Sequence, residues 1–264
     1  MMDWKKDNWN MKAFCFIFIT IIALSATLLV GLERKDKLTE LNDVQVKEQW
    51  AVQMEYSIMA GRITSLVSDV AYLHDVYEET LADPDQYDAI ARQWIVFSNK
   101  RHIYDQIRFI DAKGDEKIRV DLRQEGAIQI PRQELQNKKD RYYFYEAAQL
   151  PEGTLHISPL DLNIEHDAVE IPYKPMIRLG MPLYSHGNLL GVIVINYLAD
   201  DFLDLFRQYD QTTRGHIMLL NSSSYYLSSY RTELNWGFMF PDEKDHRFDN
   251  YHPNEWESII QNNR

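Results

Sequence analysis

The chain has 264 residues, with 40 acidic side chains against 28 Lys and Arg and a formal net charge of −12. A surface this acidic argues against nucleic acid as a partner, because gripping a phosphate backbone depends on clustered Lys and Arg. The single cysteine, Cys15, lies in an apolar run near the start, so the rest of the chain has no disulfide and no cysteine metal site.

Residues 13–32, AFCFIFITIIALSATLLVGL, carry no charge and no Pro. At the helical rise this run is long enough to cross a hydrocarbon core of about 30 Å. It predicts a transmembrane helix at 13–32 behind a cytoplasmic tail at 1–12. A cleaved signal peptide is the competing reading: Lys5, Lys6 and Lys12 form a basic start, and Ala23 and Ser25 offer small-residue cleavage positions. The run continues to Leu32, beyond the ~7–15 residues of a signal core, so an uncleaved anchor fits better. Arg34, Lys35 and Lys37 balance the basic residues on the other side, so flanking charge does not set the orientation. Size does: a short tail stays in the cytoplasm, and a long downstream domain is translocated largely regardless of its charge.

A long stalk helix is expected at 33–82. Val52, Tyr56, Met59, Ile63, Leu66, Val70, Leu73 and Tyr77 recur with alternating spacings of 4 and 3, a 3.5-residue repeat that draws one apolar stripe. The stripe fits either the seam of a parallel homodimer or packing against the protein's own sheet, and both readings can hold for different parts. Asp83-Pro84-Asp85 closes this helix and starts a second, shorter one through about Asn99. Ile107, Phe109, Ile118, Val120 and Leu122 then alternate with polar residues around the turn Asp111-Ala112-Lys113-Gly114, which predicts a hairpin. A helix is expected across Gln133–Gln149 and a strand at Thr154–Leu160. Met176–Tyr184 and Leu189–Tyr197, joined through Ser185-His186-Gly187-Asn188, carry the strongest strand pattern. A helix follows at Asp200–Tyr209, and then a new β pattern at His216–Asn221 and from Tyr225.

That last stretch is too short to complete a second core, and no second apolar run follows it. The sequence is therefore expected to be the input half of a longer receptor.

The order of elements, with QIRFIDAKGDEKIRVD (106–121), KKDRYYFYEA (138–147), SPLDLN (158–163), PMIRLGMPLYSHGNLLGVIVINY (175–197) and HIMLLNSSSYYL (216–227), resembles the double Cache, PAS-like extracytoplasmic sensor domains of bacterial membrane histidine kinases or diguanylate cyclases. The likeness spans roughly residues 35–264. It implies an α+β fold: a membrane-distal Cache domain with an antiparallel sheet at 83–208 and a second, incomplete membrane-proximal PAS-like unit at 209–264. It also implies a ligand pocket in the distal unit, output chemistry in a cytoplasmic part outside this sequence, and a place in a bacterial inner membrane with the main domain in the periplasm. Amino-acid-binding members often carry an Arg followed by Trp on the pocket helix. Here Arg141 is followed by Tyr142 and Tyr143, which puts an amino-acid ligand in doubt.

Candidate ligand-binding residues follow from chemistry. Arg141, Tyr142 and Tyr143 combine a guanidinium with aromatic rings, suited to a carboxylate on an organic body; the alternative is two core tyrosines and a surface arginine. Arg108 and Arg119, on alternating strands, would converge on an anion if their face is the concave one, and are solvated sheet residues otherwise. Asp161 and Asn163 lie in a loop able to cover a pocket and bind an amine, and Arg178 sits in the closing hairpin; each also reads as an ordinary polar position.

Glu165-His166-Asp167, Asp245-His246 and His252 have no recognised metal-ligand spacing, and no phosphate loop or nucleophile elbow is present, so no metal, cofactor or catalytic group is expected. The expected function is a sensor that binds a small organic ligand or a periplasmic protein and signals to a kinase or diguanylate cyclase output. A membrane-tethered binding or adaptor protein without an output domain is the alternative.

Overall fold

The computed structural model describes residues 4–165, 168–210 and 215–262, with side chains from Leu24 onward except at Glu165, Leu205, Tyr209 and Asp210. The chain divides into two units, residues 1–53 and 54–264. Helix α1 runs Trp4–Tyr77, and no Pro interrupts it. Within the first unit most of its large apolar side chains from Leu24 on are solvent-facing, among them Leu28, Leu38, Leu41 and Trp50, the last 72% exposed, while Val44 is half-buried. Among the described residues no helix is long and apolar enough to cross a membrane. Residues 13–23 of the expected transmembrane run lie among the side chains outside that set.

In the second unit the heptad stripe is spent on the domain's own core. Leu66, Val70 and Leu73 are fully buried, while Tyr56 stays exposed. The helix gives way at Glu78, and Asp83 accepts from the Asp85 amide at 3.0 Å to open a 3-10 turn at Pro84–Gln86. Helix α2, Tyr87–Arg101, follows and stops at His102, whose φ of 55° is left-handed. It lays Ile90, Ala91 and Trp94 into the same core as α1.

The sheet comprises β1 (Tyr104–Asp111), β2 (Glu116–Arg123), β3 (Gly126–Gln129), β4 (His156–Ile157), β5 (Asp161–Leu162), β8 (Pro175–Ser185) and β9 (Asn188–Leu198). Between β5 and β8 a small separate pair, β6 (Ile164–Glu165) and β7 (Ala168–Val169), forms part of a loop. The order is β3-β2-β1-β9-β8-β4, with β5 also on β8 and every pairing antiparallel. His186 and Gly187, at φ 51° and 76°, make the tight turn between β8 and β9. Two left-handed residues suit the right-handed twist of the flanking strands.

One face of the sheet, with Ile107, Phe109, Ile118, Val120, Leu179, Ile193 and Ile195, belongs to the core shared with α1 and α2. Helix α3, Tyr142–Ala148, covers part of the other face through Tyr143, Phe144 and Ala147 on Ile110, Val192 and Val194. It comes so near the sheet that a Cβ at Gly180 would stand 2.8 Å from the Ala147 Cβ.

The helix expected across Gln133–Gln149 is thus only its last half. Arg132–Glu134 is a single 3-10 turn, and the next residues bond to the β1–β2 hairpin instead: the Glu116 amide donates to the Gln136 carbonyl at 3.0 Å and the Lys138 amide to the Gly114 carbonyl at 2.6 Å. Tertiary hydrogen bonds have outcompeted helix propensity here. Arg141 consequently precedes α3, as an extended residue at φ −84°, ψ 127°. The strand expected at Thr154–Leu160 is broken at Pro159, which has no amide to give, leaving β4 and β5.

Helix α4 runs Asp200–Asp210. Beyond it, β10 (Leu219–Leu220) and β11 (Tyr226–Ser228) pair antiparallel, and α5 (Phe248–Tyr251) and α6 (Pro253–Asn262) follow. Tyr226, Leu234 and Phe248 form a small core of their own.

Candidate functional site

The sheet face under α3 carries one polar row and, beside it, a row that is polar at one end and apolar at the other. Register places Asp121, Gln106, Asn196 and Arg178 side by side across β2, β1, β9 and β8, and Arg119, Arg108, Val194 and Gly180 in the next row. Two bulges set these rows. At Asp105 the pairing of β1 with β9 skips a residue, so Tyr104 opposes Tyr197 and Gln106 opposes Asn196. Tyr104 therefore turns toward α1, where its hydroxyl donates to Asp69, while Gln106 and Arg108 turn to the polar face. At Lys117 a second shift brings Glu116 opposite Ile110, on the same face as Arg108.

Arg108 and Arg178 are each 2% exposed. Arg108 donates from Nη1 to the Tyr143 hydroxyl at 2.9 Å and from Nη2 to Asn196 Oδ1 at 2.6 Å, with Glu116 Oε1 at 3.6 Å from Nη1. Asn196 passes the network to Gln106 through Nδ2–Oε1 at 3.2 Å. Arg178 donates to Asp161 Oδ1 at 2.5 Å and to Asn163 Oδ1 at 3.1 Å, and Tyr142 donates to Asp161 Oδ2 at 2.7 Å. Both guanidinium groups flank one ring: their carbons lie 5.0 Å (Arg108) and 5.3 Å (Arg178) from the Tyr143 centroid, with Arg141 at 6.0 Å. Among the described residues the Nε of each buried arginine has no hydrogen-bond partner.

Burial opposes a charge on Arg178, but Asp161 together with Tyr142 and Tyr143 outweighs it and raises the guanidinium's pKa further. Burial pushes the Tyr142 hydroxyl up to about 12 against the pull of Arg178. At Tyr143 burial also raises, but Arg108, Lys138 and Arg178 together win and bring the hydroxyl below its ordinary value.

Beside this network opens a cleft of about 660 Å³, lined among others by Asp105, Gln106, Arg119, Asn163, Glu170 and Lys174. Asn163 belongs to both: its oxygen is held by Arg178 and its nitrogen donates to Glu170 Oε2 at 2.9 Å. Arg119 is clasped by Asp121 through Nε and Nη2 at 2.7 and 2.9 Å.

Of the residues singled out from sequence, Arg108, Tyr142, Tyr143, Asp161, Asn163 and Arg178 meet in one network, Arg119 and Asn163 line the cleft, and Arg141 stands at the margin. Neither Arg108 nor Arg178 is a solvated sheet residue. Sequence reasoning missed Asp105, Gln106, Glu116, Asn196, Glu170 and Lys174. A polar residue inside an otherwise continuous apolar strand, as Asn196 is in VIVINY, was the available signal for one of them. Bulges, which place Asp105 and Glu116, leave no such mark. His166 and Asp167 lie outside the described residues, and among those described no group of three His, Cys, Asp or Glu is arranged to hold a metal.

Residues 45–264 match the family described as bacterial histidine kinase, sensor domain. No curated protein sequence matches. Among solved structures, a domain of a sensory box/GGDEF family protein from Vibrio parahaemolyticus is similar at 21% identity and TM-score 0.64, over 78% of each chain. The extracellular domain of the histidine kinase vpHK1S-Z8 is similar at 22% identity and TM-score 0.64, over 78% of this chain and 74% of that one. The sensory domain of the Campylobacter jejuni chemoreceptor Tlp3 with isoleucine bound is similar at 12% identity and TM-score 0.56, over 74% of this chain and 75% of that one. At these identities the likeness is one of fold.

Proposed function

Because this chain belongs to the bacterial histidine kinase sensor-domain family, we propose that it is the extracytoplasmic input module of a membrane receptor. In this reading a small ligand enters the cleft on the polar sheet face and output is delivered by a cytoplasmic kinase or diguanylate cyclase part. One observation carries the reading. Two fully buried arginines are held in a side-chain network whose open edge is a cleft large enough for a small metabolite. A buried ion-pair network is weak evidence for stability, since apolar packing of the same volume does as well, so a functional reason for keeping it is the better account. The fold it shares with a chemoreceptor sensory domain that holds isoleucine supports a small organic ligand rather than a macromolecule.

In this proposal Arg108, Arg178, Tyr142, Tyr143 and Asp161 fix the shape of the site, Arg119 and Asn163 touch the ligand, and Arg141 guards the margin. Residues 83–208 form the distal Cache domain and 209–264 the start of a second, giving the double Cache arrangement. Residues 13–32 anchor the chain in the inner membrane with the domain in the periplasm. The apolar side chains that α1 exposes around Trp50 and Val52 are free to form a parallel homodimer seam. A ligand that prefers one of two arrangements of the domain shifts their population and so the pose of α1; equal affinity for both transmits nothing.

A metabolite panel screened by thermal shift against the full chain tests this. A ligand present at ~100 times its Kd adds about 2.7 kcal/mol to the stability of the folded state. The expected result is stabilisation by at least one small metabolite that is lost in Asn163→Ala and reduced in Arg141→Ala. Stabilisation that survives Asn163→Ala places the ligand elsewhere, and stabilisation unchanged by Arg141→Ala removes that residue from the site. The adaptor alternative predicts pull-down of a protein partner with no metabolite effect.

A further inference from the structure

Charge in the floor of the cleft is unevenly matched. Arg119 is held by both oxygens of Asp121, and Lys174 Nζ sits 2.7 Å from Glu170. Asp105 differs from these. It is 8% exposed and lines the cleft, yet its carboxylate accepts no hydrogen bond among the described residues, and its cation is the same Lys174, at 3.6 Å. Two carboxylates thus share one ammonium that lies nearer to Glu170.

The backbone brings Asp105 to this position. It is the extra residue of the β1 bulge, opposite no residue of β9, and bulges re-aim side chains beside functional sites. An ionised carboxylate removed from water requires a counter-charge with hydrogen bonds to give. Apart from the exposed Arg123 elsewhere in the lining, an anion placed beside Asp105 would have to take Arg119 from Asp121 or Lys174 from Glu170. An incoming ammonium meets an acceptor that is open.

We propose that Asp105 is the cation-receiving group of the site, so that the ligand is a small organic amine whose ammonium lies against Asp105 with Glu170 beside it. This rests on the cleft being the ligand site. The ammonium's three donors suit Asp105, Glu170 and the Gln106 oxygen's neighbourhood, and its aliphatic body would lie along Leu122 and Ile130, the apolar part of the lining. Burial holds the Asp105 carboxyl above its ordinary range in spite of Lys174; a bound ammonium would draw it back down and release protons from the fraction still protonated.

Isothermal titration calorimetry of the full chain with n-pentylamine, 5-aminopentanoate and pentanoate tests the sign of the ligand's charge. Both amines are expected to bind and pentanoate not. Asp105→Asn is expected to weaken amine binding at least tenfold without lowering Tm, since it removes a buried charge, and Asp105→Glu to restore part of it. Binding of pentanoate alone, or of none of the three, overturns the amine assignment and leaves the cleft standing on the metabolite screen. Amine binding that survives Asp105→Asn but is lost in Asn163→Ala overturns the role of Asp105 alone. Amine binding indifferent to both variants overturns the cleft as the site.

Discussion

Arg178→Ala is expected to lower the unfolding free energy by about 3–5 kcal/mol, the usual loss when one partner of a buried ion pair is deleted. The guanidinium is 2% exposed and holds Asp161 and Asn163. Its removal leaves the Asp161 carboxylate, 15% exposed, with Tyr142 as its one side-chain donor among the described residues. The segment from Ser158 to Lys174 would keep its backbone pairing with β8 but lose the side-chain tie through Asp161 and Asn163. For a domain of roughly this size each kcal/mol moves Tm by about 2–4 °C, so a fall of about 6–20 °C in a melting experiment is the expected readout. The paired replacement Arg178→Met with Asp161→Leu separates stability from function, because exchanging both members of a buried pair for apolar groups is often neutral. The double variant should melt within a few degrees of the parent and show no shift with a ligand that stabilises the parent. A loss below ~1 kcal/mol in Arg178→Ala would mean that water replaces the guanidinium freely and the network is not closed.

Trp94→Ala is expected to cost about 3–5 kcal/mol, the range for emptying a fully buried aromatic site. Trp94 is 0% exposed and meets Tyr77 of α1 edge to face at 6.0 Å, so it fixes α2 and the end of α1 to the sheet together. Trp50→Ala, at a position 72% exposed, should stay within ~0.5 kcal/mol in the same denaturant titration. The contrast tests whether burial is confined to the second unit of the chain. Similar losses at both tryptophans would show that the side chains near Trp50 are buried in the folded chain after all.

Much of this division could be read in advance, and the reasons are local. The stripe from Val52 to Tyr77 announced α1 because helical periodicity survives in any packing context. Which part faces the sheet was not decidable, since Tyr56 and Leu66 look equivalent to a periodicity and differ only in what the fold sets beside them. The β8–β9 hairpin was legible from its two apolar runs and His186-Gly187, a turn that needs two left-handed residues. The segment Leu135–Asp140 was misread as helix because its hydrogen bonds go to Gly114 and Glu116, twenty or more residues away in sequence.

The site divides along the same line. Arg108, Tyr143 and Arg178 stood out by residue type within strand and helix patterns. That two of them share the Tyr143 ring, and that Asn196 joins Arg108 to Gln106, is a matter of register across three strands. Asp105 was invisible for a sharper reason: alternation assigns a strand residue to a face, and a one-residue bulge reverses the assignment.

The most direct test of the account is a structure of residues 1–264 determined with a metabolite that stabilises the chain. The account predicts that molecule in the cleft between β1 and the loop at 158–175, in contact with Asn163 and Arg119 and with Arg178 still bonded to Asp161. A ligand found instead against the β10–β11 unit, with the cleft unchanged, would contradict it.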